Sequence, residues 1–215
     1  IDLKALQHQL NRRRPGQSAL TTSRTEKDSV QIISGVFEGK TLGTPITFLI
    51  PNLDQKPQDY EALKTIYRPG HADALWDLKM GHRDYRGGGR SSARITAAWV
   101  AAGALAEQFL SQYQMGPIKV CAWVQQIHTI QAHIPNLVSR EEIDKSPVRC
   151  PDLEKSSKME SSILEAKENG DSLGGTIRVR ISGVPAGTGE PVFRKLQAQI
   201  SKYMLNLNAV KGIYF

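Results

Sequence analysis

The spacing of apolar residues predicts a helix at the start of the chain and a pair of strands after it. Leucines recur at helical spacing through residues 2–14, and Asp2 is a suitable N-cap for this helix. Residues 30–37 alternate loosely between apolar and polar side chains, and residues 46–50 are mostly apolar. Glycines and a proline separate the two segments, which favours a β-hairpin.

The middle of the chain predicts a long loop followed by a buried helix. Residues 67–92 contain turn-forming residues, aromatic residues and several arginines, which is typical of a functional loop. From Ser92, a suitable N-cap, to about Tyr113, alanine and other apolar residues cover nearly every side of a helix. Such a helix is usually buried. We therefore expect it to be enclosed on more than one face, for instance between two sheets.

Strands and helices alternate again in the last third of the chain. The pattern predicts strands at 118–127 and 176–183, and helices at 156–168 and 192–205. Residues 135–160 are polar and contain three prolines, so we expect an insertion or a peripheral segment there.

Composition limits the class of protein. The 215 residues suffice for one large domain or two small ones, and 40% of them are hydrophobic. A run of about 18 apolar residues is absent from the sequence, as is a secretory leader, so we expect neither a membrane span nor export. Two cysteines are too few for a disulfide framework or a four-cysteine zinc site, which favours the reduced cytoplasm.

Charge points to anionic ligands. The formal net charge is +7, which suits nucleic acid, anionic lipid or a small phosphorylated substrate. The arginines are clustered, and the densest cluster lies in GHRDYRGGGRSSARIT, residues 81–96.

This segment is the strongest candidate for chemistry. Glycines 87–89 allow a sharp turn and close approach of the backbone to a ligand. Arg90, Ser91 and Ser92 are expected at the first turn of the buried helix, where free N–H groups and the helix dipole favour an anion. The alternative is a flexible loop before a capped helix. The GK[ST] ending of a Walker loop is absent from the sequence.

Two further residues are candidates with structural alternatives. His71 shares the arginine-rich loop and suits general acid or base work, although an isolated histidine is more often structural. Arg13 belongs to a run of three arginines at a helix end, where the helix dipole alone would explain them. The sequence contains no recognisable metal-binding cluster, paired-carboxylate signature or nucleophile elbow.

The chain resembles the chorismate synthase family along nearly its whole length. The resemblance rests on NRRRPGQSALTTSR, VQIISGVFEGKTLGTPITFLI, RPGHADALWDLKMGHRDYRGGGRSSAR, CPDLEK, GDSLGG, GVPAGTGEPVF and LNAVKG. These segments occur in the family's order from Asp2 to Gly212.

The resemblance implies a single α+β domain over residues 1–215, a β-α-β sandwich with helices between two antiparallel sheets. It implies the 1,4-anti elimination of phosphate from 5-enolpyruvylshikimate 3-phosphate to give chorismate, the last common step of aromatic amino acid biosynthesis. The reaction needs reduced FMN without net oxidation, and NADPH is a candidate reductant. The resemblance also implies a homotetramer. From the composition and motifs above, we expect it in the cytoplasm, without a nucleic-acid partner, a membrane or a metal.

The resemblance assigns roles to particular residues. His71 resembles an acid that protonates the flavin or assists the reaction. Arg90, Ser91, Ser92, Asn208 and Ala209 match positions that contact FMN. A position assigned to NADP or substrate phosphate is matched by Arg13, and Arg24 is a weaker substrate candidate.

The sequence also departs from the family. Ile95 stands where the family usually has glutamate, and Ala74–Leu75–Trp76 replaces the usual aromatic residues after the HAD motif. The family's Ser-His-Gly strand, with its second catalytic histidine, and its later flavin-binding segments have no counterpart here. We therefore expect the domain to be incomplete at both ends and inactive alone.

Two other classes of protein remain open. One is a truncated, inactive homologue that binds anions or a partner without turnover, favoured by Ile95 and the unmatched segments. The other is a basic nucleic-acid-binding module, which would need aromatic stacking residues on a platform, whereas only 7% of residues are aromatic and they are scattered.

Overall fold

The structure, a computed structural model, describes residues 1–22, 24, 26–113, 116–134 and 138–215. The chain forms two compact units. The first unit comprises Ile1–Arg14, Thr25–Gln108 and Ala186–Phe215, and the second comprises Pro15–Arg24 and Phe109–Pro185. Helices and small antiparallel sheets are mixed along the chain, which confirms the α+β class.

The first unit begins with the predicted helix. Helix α1 spans Leu3–Arg13, and the Asp2 carboxylate caps it by accepting a hydrogen bond from the Ala5 backbone N–H at 2.9 Å. Leu6 and Leu10 are fully buried on its inner face. The capping residue and the leucine spacing were both readable in the sequence.

The predicted hairpin forms with an interruption. Strands β1 (Gln31–Ser34) and β4 (Thr47–Leu49) pair antiparallel, and a smaller hairpin of β2 (Val36–Phe37) and β3 (Lys40–Thr41) lies between them. Gly35 breaks the strand with a φ of 81°, and a Cβ there would lie 2.5 Å from the Pro45 carbonyl oxygen. The chain therefore turns where the sequence predicted one continuous strand.

A helix occupies the middle of the predicted 67–92 loop. A 3-10 helix at Pro57–Leu63 precedes it, and helix α2 spans Asp73–Met80 and ends at Gly81 in the left-handed conformation. The prediction of a continuous loop was wrong here, because the Pro-Gly turn at residues 69–70 and the later glycine run masked the short helical segment between them.

The long alanine-rich helix starts later than predicted. Two 3-10 turns, Gly89–Ser91 and Ala93–Ile95, come first, and helix α3 spans Thr96–Ser111. The Ser92 hydroxyl does act as a cap, but it accepts from the Arg94 N–H and so caps the second 3-10 turn. Arg90, Ser91 and Ser92 therefore precede the α-helix instead of forming its first turn.

Helix α3 has one buried face. Three of its alanines share a core with Leu6 and Leu10 of α1 and with Val30. These alanines are Ala97, Ala101 and Ala104. The rest of the helix is more exposed, and Phe109 is 70% accessible. We expected α3 to be enclosed on more than one face, but in the described residues it is buried on one face only.

The second unit is built around one antiparallel sheet. Strand β5 (Lys119–Ile127) lies between β6 (Ile130–Gln131) and β7 (Gly175–Ser182), and the predicted strands are confirmed. Helices α4 (Arg140–Asp144) and α5 (Leu153–Glu168) follow β6 in sequence.

The segment predicted as peripheral contributes to the core of this unit. Ile143, Val148, Cys150 and Met159 are buried, and Ser146 and Ser156 form a fully internal hydroxyl pair at 2.6 Å. Its Pro135 lies outside the described residues. Polar composition misled the prediction because two of these serines, Ser146 and Ser156, are buried and satisfy each other's hydroxyl groups.

The last helix, α6 (Leu196–Met204), returns the chain to the first unit. In the described part of the chain, every helix is too short or too polar to cross a bilayer.

Candidate active site

A cavity of about 1830 Å³ lies within the first unit. Most of its lining comes from three segments: the turn before α2 with α2 itself, the glycine-rich segment through Ile95, and the end of α6 with the segment that follows it. Most single-ligand pockets measure roughly 300–1,000 Å³. The cavity is therefore large enough for two small molecules side by side.

Ser91 connects these three segments. The indole N–H of Trp76, on α2, donates to the Ser91 hydroxyl oxygen at 2.6 Å. The Asn208 side-chain amide donates to the Ser91 carbonyl oxygen at 3.2 Å. A hydroxyl can accept and donate at once, so the Trp76 bond leaves the Ser91 hydroxyl hydrogen available to a ligand.

The four arginines of the glycine-rich segment have different roles. Arg83 is almost buried, pairs with Asp77 at 3.1 Å and donates to the carbonyl oxygens of Leu63 and Ile66. Arg86 pairs with the exposed Asp84 two residues away. Arg94 pairs with buried carboxylates, as described below. Three of the four guanidinium groups therefore stabilise the chain itself.

Arg90 is the exception within the described residues. Its guanidinium makes no hydrogen bond or ion pair with any of them, and its side chain is exposed at the cavity lining. It follows the glycine run, where Gly87 and Gly89 have φ values of 151° and 50° and the space beside them is open. The uncompensated charge makes Arg90 the best-placed anion-binding side chain of the segment.

The helix dipole contributes less than the sequence predicted. The backbone N–H groups of Ser91 and Ser92 already donate to the carbonyl oxygens of Gly88 and Gly89. Because α3 begins only at Thr96, its free N–H groups lie several residues beyond Arg90. The attraction for an anion therefore rests on the arginine side chain and the open glycine backbone.

The small residues of α3 form one wall of the cavity. Its exposed face there carries Trp99, Ala102 and Gly103. Alanine and glycine were interpreted as signs of tight packing on all sides, but on this face they leave room for a ligand. Ile95, the residue that departs from the family pattern, also lines the cavity.

His71 lies in a tight turn at the edge of the cavity. Its ring is exposed, and Nδ1 lies 3.0 Å from the Pro69 carbonyl oxygen. A carbonyl can only accept a hydrogen bond, so this contact requires hydrogen on Nδ1 and leaves Nε2 open.

Asn208 and Ala209 meet the glycine-rich segment through a turn. Ala209 adopts a φ of 66°, a left-handed conformation that is rare for residues other than glycine. The Val210 N–H donates to the Leu207 carbonyl oxygen at 3.2 Å and closes this turn. The structure thus brings Ser91 and Asn208 into direct contact, while their shared role in binding a flavin stays a prediction.

Arg13 is not among the described residues that line the cavity, and it pairs instead with other residues of the chain. It pairs with Asp28 at 2.9 Å and donates to the Thr96 hydroxyl at 3.1 Å. Arg94 shares the same carboxylate at 2.6 Å and lies 2.8 Å from Glu26. This network fastens α1 to the start of α3. That Arg13 binds NADP or the substrate phosphate therefore stays a prediction, and the alternative is that it only stabilises the fold.

The network makes a prediction about stability. The Asp28 side chain is fully buried, so Asp28→Asn leaves two arginines without their shared anion. We expect a loss of about 3 kcal/mol, the lower end for breaking a buried pair because both arginines keep some solvent contact. Urea unfolding followed by tryptophan fluorescence measures it. Asp84→Asn, which removes an exposed ion pair of the same unit, is the control and should change the midpoint little.

Arg24 belongs to the second unit and does not line this cavity. The proposed substrate contact of Arg24 thus remains a prediction. The structure adds residues that sequence reasoning had not assigned to the site, namely Trp76, Tyr203 and Lys211. Lys211 lies only two residues after Ala209 in the LNAVKG segment. That short distance in sequence was the one sign that Lys211 belongs near the predicted site.

The cavity carries an excess of positive charge. Four cationic side chains line it, against two carboxylates. The cations are Arg68, Arg83, Arg90 and Lys211, and the carboxylates are Asp73 and Asp84. Such a cavity favours an anionic ligand over a neutral or cationic one.

Comparison with known proteins gives a consistent result. The model of the chorismate synthase family matches residues 1–215. The chorismate synthase of Christiangramia forsetii is 50% identical over 216 residues, covering 100% of this chain and 60% of the relative. That of Roseiflexus castenholzii is 49% identical over 210 residues, covering 98% and 57%.

A solved structure extends the comparison to the fold. A crystal structure of chorismate synthase superposes with a TM-score of 0.74 at 32% identity, over 99% of this chain and 60% of the solved one. The chain thus spans about 60% of the length of the relatives that it matches.

Proposed function

The chain belongs to the chorismate synthase family, and from this premise we propose that it forms part of the active site of a phosphate-eliminating lyase. The proposed reaction converts 5-enolpyruvylshikimate 3-phosphate to chorismate with reduced FMN. The observation that carries the proposal is the Arg90 guanidinium, which has no partner among the described residues and lies beside an open glycine backbone in a cationic cavity.

The cavity suits the charges that this reaction brings together. The substrate carries two carboxylates and a phosphate, and FMN adds a second phosphate. Burying such anions together is favourable only where cations offset their repulsion. Arg90 and Lys211 supply charge at the lining, and the volume accommodates a flavin and a substrate.

The donor set also fits a flavin. Arg90 would hold an anionic or carbonyl group, the Ser91 hydroxyl offers a hydrogen, and Asn208 keeps the Ser91 backbone in place. Ser92 and Ala209 complete the proposed FMN contacts. Reduced flavin, when bound, supplies electron density transiently and takes up a proton without net oxidation.

The elimination itself removes a proton and a phosphate from the substrate. One C–H and one C–O bond break, a carbon–carbon double bond forms, and the phosphate leaves with the electron pair of the C–O bond. His71 is the proposed acid. Because Nδ1 is bonded to the Pro69 carbonyl, Nε2 is the nitrogen that would exchange a proton with a bound molecule.

Family membership supports four further proposals. NADPH is a proposed source of electrons for the flavin, and Arg13 and Arg24 remain proposed contacts for NADP or substrate phosphate. The enzyme is proposed to work in the cytoplasm and as a homotetramer.

Arg90→Ala should weaken FMN binding by about 1–3 kcal/mol, the range for losing a hydrogen bond to a charged group. This corresponds to a roughly 5- to 150-fold rise in Kd. Because the isolated chain is expected to bind FMN weakly, titration calorimetry measures the change in the Christiangramia forsetii enzyme whose matching region is replaced by this chain. Arg178→Ala is the control, because it removes one exposed arginine from β7 in the second unit. Equal affinity of Arg90→Ala and the unaltered chain would contradict the assignment.

An inactive homologue is the second candidate, and Ile95 at the cavity lining favours it. The two are separated by a chimaera, defined as the Christiangramia forsetii enzyme with its matching region replaced by this chain. An active chimaera supports the lyase. A folded chimaera that binds FMN but releases no phosphate supports the inactive homologue.

A nucleic-acid-binding module is disfavoured by the arginine pairing. Arg83, Arg86 and Arg94 neutralise carboxylates of the same chain, so little of the cluster's charge is available to a phosphate backbone.

A further inference from the structure

The turn that carries His71 is closed at both ends by one ion pair. The Arg68 guanidinium donates to both carboxylate oxygens of Asp73, from Nε at 2.8 Å and from Nη2 at 2.9 Å. The Arg68 backbone N–H donates to the same carboxylate at 3.2 Å. Three hydrogen bonds therefore join these two residues across only four intervening ones. We call this arrangement the 68–73 clamp.

The clamp is strong because its carboxylate is buried and ionised. Asp73 is 6% exposed, and the hydrogen bond from the Arg68 side chain holds its pKa well below the usual range. Bidentate pairs between arginine and carboxylate are the stronger class of ion pair and restrict orientation. Arg83 supports Asp73 with a second positive charge at 3.9 Å. The clamp is consequently intact at neutral pH.

His71 is held inside the clamp by two local contacts. Its backbone N–H donates to the Arg68 carbonyl oxygen at 3.3 Å, and its ring Nδ1 bonds to the Pro69 carbonyl oxygen at 3.0 Å. Both acceptors belong to the clamped turn. An exposed imidazole without such a contact rotates and exchanges between its two neutral tautomers.

We propose that Asp73 is a positioning residue for His71. By closing the turn, it keeps the Pro69 carbonyl within reach of Nδ1, which confines the hydrogen of the neutral ring to Nδ1. Nε2 then remains the nitrogen that faces ligands as a proton acceptor, or carries the transferable proton when the ring is charged. The effect on turnover rests on the proposed role of His71, whereas the tautomer is a property of the chain alone.

The first test reads the tautomer directly. Long-range ¹H–¹⁵N NMR of the labelled chain, above the pH range in which imidazoles titrate, should give the Nδ1–H pattern for His71. Asp73→Asn keeps the shape of the side chain but removes the charge, so we expect a mixture with a populated Nε2–H form. Asp77→Asn is the matched control. It removes a carboxylate one turn later on α2 that pairs with Arg83 but not with Arg68, and should leave the pattern unchanged.

A second variant tests the same proposal if Asp73→Asn fails to fold. If circular dichroism shows that Asp73→Asn does not fold, Arg68→Lys retains the charge and removes the two-pronged contact, and the same shift is expected. An unaltered chain with mixed tautomers would overturn the proposal, as would a folded variant of either kind that keeps the Nδ1–H pattern.

The last test measures the consequence for turnover in the chimaera. Asp73→Asn should lower kcat about tenfold or more with little change in KM, and should add nothing to His71→Ala if it acts through that residue alone. Additive effects of the two variants would overturn the positioning role. A tautomer shift without loss of kcat would support the positioning of the ring and contradict the proposed catalytic role of His71.

Discussion

The 215-residue chain assayed alone, with chemically reduced FMN and 5-enolpyruvylshikimate 3-phosphate, is expected to release no phosphate above background. The chain matches only about 60% of the length of its relatives. The resemblance implies a second catalytic histidine that the 215 residues do not contain, so we expect one proton transfer to lack its group. We expect weak FMN binding, because the cavity has Arg90, Ser91 and Asn208 but not the family's later flavin-binding segments.

Exposed surfaces should also make the isolated chain self-associate. Strand β7 is an edge strand whose eight residues are all exposed, and Ile177 is 66% accessible. Unpaired strand edges with apolar side chains promote association. Light scattering measures this tendency.

The unaltered Christiangramia forsetii enzyme serves as the positive control for the phosphate assay. Turnover of the isolated chain close to that of this enzyme would contradict the prediction, and would mean that the unmatched segments are dispensable for the reaction.

Replacing His71 by alanine in the chimaera is expected to lower kcat by about 10²–10⁴-fold, the range for removing a positioned general acid or base. The substrate KM should change far less, because the imidazole is exposed and pairs with no carboxylate among the described residues. Stopped-flow or steady-state measurement of chorismate formation gives both quantities.

His8→Ala is the matched control. His8 is also an exposed histidine of the first unit, but it lies on α1 and does not line the cavity. A near-normal kcat for His71→Ala would return His71 to a structural role in its turn. A loss of the same size in both variants would point to unfolding instead of chemistry.

Local patterns predicted several elements well because their causes are local. The Asp2 cap and the spacing of Leu6 and Leu10 determine α1, and the long helix α5 ends at Glu168, its predicted limit. The unrecognised α2 shows the limit of such reasoning. Its eight residues have little periodicity, and Arg83 stabilises the segment through contacts with Asp77 and with carbonyl groups of residues 63 and 66.

The charge pattern of the sequence did not show which arginines are available to a ligand. Sequence reasoning treated the arginines at 83, 86, 90 and 94 as one cationic cluster. The structure separates them, since only Arg90 is left without a partner among the described residues. Arg83 and Arg86 pair with carboxylates nearby in sequence, but the pairing of Arg94 depends on the fold, which brings the distant Asp28 to it.

The sequence by itself determined the family, the α+β class and local elements such as α1, because motif order and local spacing are properties of the chain. Only the tertiary structure decided whether the charge of Arg94 remains for a ligand and which face of α3 borders the cavity. Those outcomes depend on contacts between residues far apart in sequence, as when Trp76 and Asn208 meet Ser91. Which side chains are buried and which charges are paired is therefore determined only once the folded chain brings these segments into contact.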